Sequence, residues 1–205
     1  LATSVTFANT LANICEAVGA DMYEIIPALR LDTRIGPAAY IKPGLGLSGG
    51  HLEWDVATLL ELAKTHHVRA RLLEVILEES TLRYEWLREK IEQEVFLHAA
   101  HPVMALWGLS YKKNTASLHN APSLRVIEDF GSRAEIRAYD PAAKVPSDLR
   151  VTQVAEKYAA IRQADVLVVM NDSNPFKDVD FEHIIKEMHT ALIIDGLGVL
   201  SEMKI

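Results

Sequence analysis

Beyond about residue 98 short runs of β-forming residues alternate with stretches of helical periodicity, and this alternation constrains the fold more than any other feature. Pro102 to Leu106, Glu135 to Tyr139, Val166 to Met170 and Leu192 to Ile194 read as strands. Between them Ser123 to Phe130, Val154 to Gln163 and Phe181 to Met188 read as helices. Strand–helix–strand units cross over right-handed and lay their strands side by side in one direction. A Rossmann-like domain with a mostly parallel sheet is therefore expected over residues 99–205.

The first half carries a different pattern. Val5, Ala8, Leu11, Ala12, Cys15 and Val18 recur at helical spacing, and Gly19 stands where a helix C-cap belongs. Asp21 is placed to cap a second helix running to about Leu29. From Glu53 to Phe96 the sequence favours helix, with a break near Thr65 to Val68. Its second part carries Leu72, Leu73, Ile76, Leu77, Leu82, Trp86, Leu87 and Ile91 on a wide apolar stripe. Glu78, Glu79, Arg83, Glu85, Arg88, Glu89 and Lys90 lie opposite and read as a solvated face. A long helix must bury such a stripe, and a helical segment of this size supplies little core of its own. The expected class is thus α/β: an all-helical dimerisation domain with a long helix over residues 1–98, a homodimer through it, and the Rossmann-like domain after it.

Composition narrows the function. A net charge of -7 without a basic stripe repels a phosphate backbone, which excludes nucleic acid as the expected partner. No apolar run approaches the roughly 20 residues of a membrane span, and no basic segment precedes an apolar one at the start. The single cysteine, Cys15, sits on an apolar stripe and forms neither an internal disulfide nor a thiolate metal cluster. A cytoplasmic setting and no metal are expected. The chain opens at Leu1 in mid-pattern, without an initiator Met, and reads as a piece of a longer protein.

Residues 32–50 hold Pro37, Pro43, Gly36, Gly44, Gly46, Gly49 and Gly50, a loop of the length and composition that carries function in compact domains. Within it Gly44 to Gly49 satisfies G-x-G-x-x-G, a dinucleotide signature. The context argues otherwise. Ala39 to Pro43 is too short and proline-terminated to be a central strand, and no acidic residue closes a second strand about 20 positions on. His98 with His101, and His66 with His67, lack a carboxylate to complete a ligand set and read as turn residues. Gly108 to Thr115 follows a strand, where open parallel sheets take up ligands. Lys112 there is equally a phosphate ligand or a solvated loop lysine.

Separated segments along the chain then resemble the UDP-glucose/GDP-mannose dehydrogenase family beyond its N-terminal NAD-binding domain. Leu1 to Asn9, with Ala12 to Glu16 and Gly19 to Asp21, looks like the start of the central helical domain. Asp32 to Gly36, Pro43 to Gly46 and Gly49 to Asp55 look like the active-site loop. Gly108 to Lys112, Asn114-Thr115, Pro122-Ser123, Ala138 to Pro141 and Asp195-Gly196 look like the nucleotide-sugar-binding domain. The resemblance implies oxidation of C6 of a nucleotide sugar to a carboxylate by two NAD⁺, in polysaccharide biosynthesis, with the aldehyde held on a cysteine. It implies Asn9 and Asp55 as catalytic support and Arg34, Tyr40, Lys42, Gly46 and Lys112 as substrate contacts.

The pattern also departs from the family. Counting from Pro43 and back from Asp55, the cysteine position holds His51, and the lysine before the aspartate is Trp54. The arginine implied to contact cofactor is His119. Imidazole can act as a base, but it does not supply the covalent path that a thiolate does. The expectation is a nucleotide-sugar-binding, catalytically impaired dehydrogenase homologue; the rival is a non-enzymatic dimerisation or binding scaffold.

Overall fold

The computed structural model describes residues 1–200; residues 201–205, the end of the second expected domain, lie outside the described residues. The chain forms two compact units, Leu1–Glu85 and Trp86 onward.

In the first unit helix α1 spans Ala2–Val18 and ends at Gly19, whose φ of 72° lets Ala20 donate its N–H to Cys15 O. Helix α2, Met22–Leu31, starts at Asp21, whose carboxylate accepts from Tyr23 N, and it tolerates Pro27 inside. Helix α3 spans Leu52–Thr65, and helix α4, Arg71–Ile91, starts in this unit and runs past its end at Glu85, continuing into a π-helical turn at Glu92–Phe96. The expected break falls between α3 and α4, where His67 sits at a φ of 55°. Two apolar clusters hold these helices. Ala2, Val5, Leu47, Val56 and Ile76 form one; Ala8, Cys15, Met22, Ile26 and Ile41 form the other. Cys15 is buried there as a small core residue.

The second unit is a five-stranded parallel sheet in the order β3-β2-β1-β4-β5. Its strands are β1 Val103–Trp107, β2 Glu135–Tyr139, β3 Thr152–Gln153, β4 Val166–Val169 and β5 Ile193–Ile194. The helices are α5 Pro122–Phe130, α6 Lys157–Ile161, α7 Asn174–Lys177 and α8 Phe181–Glu187. The expected Rossmann-like class is what the chain adopts. β1 lies at the centre, with Met104 beside Ile136 on one flank and Val166 on the other, so successive crossovers leave it in opposite directions. β1 and β4 are buried almost throughout, as a sheet covered on both faces requires. Trp107 stacks on Phe176 at 5.4 Å and donates its indole N–H to Lys157 O.

Two elements escaped the sequence pattern, and one is shorter than expected. β3 and α7 are too brief to establish any period. The helix expected over 154–163 begins only at Lys157, because Val154 N is drawn into the sheet by Ala138 O.

Candidate functional site

The glycine-rich loop of the first unit is not a surface loop. From Ile41 to Gly50 buried and half-buried residues alternate, with Ile41, Leu45 and Leu47 in the core. Buried backbone must find partners, and the neighbouring helices supply them. Gly44 donates its N–H to Asn9 Oδ1 at 2.7 Å, and its carbonyl accepts from Arg83 Nε at 2.8 Å. Leu47 donates to Ser80 Oγ at 2.8 Å. Gly46 has a φ of 92° and runs so close to α4 that a Cβ would lie 2.7 Å from Ser80 O. Only glycine fits there.

The loop delivers His51 to the N-cap of α3, where its side chain is exposed and caps nothing, while its carbonyl accepts from Asp55 N. Trp54 and Asp55 are exposed too, Trp54 at 73%. Their offsets of three and four residues place them on the helix face that begins at His51. Asn9 is buried, with Oδ1 committed to Gly44. Arg34 is exposed and grips Asp32, whose carboxyl is held below its ordinary value chiefly by that side chain. Tyr40 is exposed, and Lys42 Nζ stands 5.8 Å above the Tyr23 ring.

Arg83 overturns its expected place on a solvated face. It is 4% exposed, and burial pushes its guanidinium down to about 10, opposed by Glu16 and Tyr23. Its second arm donates from Nη1 to Asn13 Oδ1 at 2.5 Å. Helical periodicity could not find it, since the partner that buries it is a loop far away in sequence.

In the second unit the strand ends converge on Asp140. One carboxylate oxygen accepts from Leu109 N, Ser110 N, Ser110 Oγ and Asn171 Nδ2; the other accepts from Ala142 N and Ala143 N. Burial raises its pKa most strongly of any single influence, yet the backbone N–H groups together outweigh it and hold the carboxyl below its ordinary value. Gly108, at a φ of 105°, lies where a Cβ would come within 2.6 Å of Asn171 Cγ. Asn171 in turn donates to Ser110 O. The β1–α5 loop is thereby fixed beside the β4 end, at the switch point of the strand order, where doubly wound sheets take up ligands. Lys112 is exposed, its Nζ 5.2 Å from the Tyr111 ring; Lys113 pairs with Asp172 at 3.1 Å; His119 is exposed in the approach to α5. Asn171 and the burial of Arg83 are what the sequence patterns missed; Asp140 lay in the Ala138 to Pro141 segment singled out above, but its role was not legible there.

Gly44 to Gly49 follows no strand, both polar groups of the Gly44 backbone are taken by Asn9 and Arg83, and Gly46 packs closely against Ser80. Among the described residues no group of three or more His, Cys, Asp or Glu is placed to hold a metal, and no helix is long and apolar enough to cross a membrane.

A doubly wound sheet with an ordered loop at its switch point, preceded by a helical unit built around a buried glycine-rich loop, defines a two-part α/β protein with a Rossmann-like second unit. Residues 1–80 match the central domain of the UDP-glucose/GDP-mannose dehydrogenase family, and residues 105–202 match its UDP binding domain. The chain belongs to that family. It is similar to UDP-glucose 6-dehydrogenase of Pseudomonas aeruginosa, at 31% identity over 96% of this chain and 45% of the relative. It is also similar to UDP-glucose 6-dehydrogenase TuaD of Bacillus subtilis, at 29% identity over 98% and 44%. A UDP-glucose dehydrogenase structure from Pyrobaculum islandicum superposes with a TM-score of 0.83 at 22% identity, covering all of this chain and 47% of that one, which shows the fold. The UDP-D-ManNAc dehydrogenase structure from Pyrococcus horikoshii gives 0.80 at 25% identity, covering 97% and 45%. The chain therefore spans less than half the length of these relatives.

Proposed function

We propose that this chain is the substrate-binding part of an NAD-dependent nucleotide-sugar 6-dehydrogenase of the cytoplasm, acting in polysaccharide biosynthesis, and that it does not complete the four-electron oxidation. Support for the first part comes from two family domains matched in order on a chain whose switch-point loop is rigidly built. Support for the second comes from His51 at the cysteine position. In this reading Arg34, Tyr40, Lys42 and Gly46 of the helical unit and Lys112 of the sheet unit are nucleotide-sugar contacts, and Asn9 and Asp55 support the chemistry.

NAD, bound in the family by a further domain, would supply the hydride acceptor, and His119 stands where the family's cofactor-contacting arginine is expected. The chain's own chemistry turns on His51. A thiolate adds to an aldehyde carbon and leaves a thiohemiacetal that can be oxidised and hydrolysed, whereas an imidazole at the same place accepts a proton from the C6 hydroxyl and stops there. A homodimer through the helical unit belongs to the same proposal, supported by the exposed Leu72 and Leu82 on α4.

Calorimetric titration of the chain with UDP-glucose, GDP-mannose and UDP-N-acetylglucosamine tests the reading. Saturable heat with one of them is the expected result. No heat with any overturns it, and a dimer indifferent to all three leaves the scaffold.

A further inference from the structure

The glycine-rich loop is anchored at one peptide unit. Asn9 of α1 takes the N–H of Gly44 and Arg83 of α4 takes its carbonyl, so both polar groups of one residue are held by side chains from two helices. The other arm of Arg83 reaches Asn13, one helical turn beyond Asn9. A guanidinium this buried is costly to desolvate. A rigid fork that donates in two directions at once is what the position exploits, and a lysine ammonium on a flexible stem does not reproduce it. The anchored segment continues through Gly46 and Leu47, both held at Ser80, to His51 at the start of α3.

We propose that Arg83 is a positioning residue for nucleotide-sugar binding: by clamping Gly44 and Asn13 together it fixes the loop in the conformation that receives the sugar, without touching the ligand itself. The proposal rests on the reading of this loop as part of the nucleotide-sugar-binding surface. It gives a role to a buried arginine on a helix where most other charges reach water.

The test joins amide hydrogen exchange by NMR to calorimetry, on the parent chain, Arg83→Lys and Arg83→Gln. Slow exchange at Gly44 and Leu47 is expected in the parent. In Arg83→Gln both amides should exchange at least about tenfold faster while those of Asn13 to Cys15 in α1 do not change. Affinity for UDP-glucose should fall about tenfold and affinity for UDP stay the same, with the lysine variant between. A general loss of stability would move both ligands together, so the ratio of the two affinities separates positioning from mere folding. Unchanged exchange at Gly44 in a folded variant overturns the clamp, as does an unchanged ratio of the two affinities. Should the glutamine variant not fold, the lysine variant is judged by the same criteria, and rapid exchange at Gly44 in the parent overturns the clamp without any variant. If the parent binds neither UDP-glucose nor UDP, the function proposed above fails and the ligand role with it, while exchange at Gly44 still decides the clamp.

Discussion

Asp140 ties the ends of β1 and β2 together through its bonds to Leu109, Ser110, Ala142 and Ala143. Asp140→Asn keeps the shape but turns one acceptor into a donor that faces N–H groups, and a loss of about 3 kcal/mol in unfolding free energy is expected by urea denaturation. The folded carboxyl titrates below the ordinary aspartate value of 3.8. Its contribution is therefore complete above about pH 4, where the unfolded group too is ionised, and is lost as pH falls through the lower folded value. Urea midpoints measured downward from about pH 5 should fall more steeply in the parent than in Asp140→Asn; parallel slopes would remove Asp140 as the cause. His51 invites a chemical test. In His51→Cys a UDP-glucose 6-aldehyde labelled with ¹³C at C6 should gain a thiohemiacetal carbon signal, the S–H adding across C=O, while the parent shows free aldehyde and its hydrate alone. A covalent adduct in the parent would sink the proposed impairment. His51 was legible because Pro43 and Asp55 fix its place by counting. Arg83 was not, because its burial comes from a loop in another part of the chain.

Helices and strands were legible in proportion to their length. α1 announces itself through six apolar positions and a terminal glycine, and β2 falls on its expected residues because Ile136 and Ala138 alternate with exposed or half-buried neighbours. β3 is held by pairing Thr152 to Arg137 and carries no apolar pattern of its own, so only the sheet beside it reveals it. On α4 the apolar stripe divides: Ile76, Leu87 and Ile91 are buried, whereas Leu72 and Leu82 remain 62% and 52% exposed. If those two side chains meet a second copy, Leu72→Glu with Leu82→Glu leaves a monomer with unchanged circular dichroism, since neither residue supports the core. Sedimentation equilibrium at micromolar concentration decides it. A dimer that persists moves the interface away from this face of α4.

Across the whole chain the two units divide their work by backbone chemistry. The sheet offers the β1–α5 loop with Lys112 at its switch point, and in the helical unit Gly46 packs closely against Ser80 while the Gly44 backbone is taken by Asn9 and Arg83. The same G-x-G-x-x-G string therefore means different things with and without a strand before it, which is why its context was the legible part. This leads to an opposed pair of outcomes in thermal unfolding. A ligand at 100 times its dissociation constant adds about 2.7 kcal/mol to the state that binds it. Saturating UDP-glucose should raise the unfolding temperature of this chain, and NAD⁺ at the same concentration should leave it unmoved. A shift with NAD⁺ alone would mean that the loops around Gly44 or His119 hold a dinucleotide after all, and would place a cofactor contact on these two units.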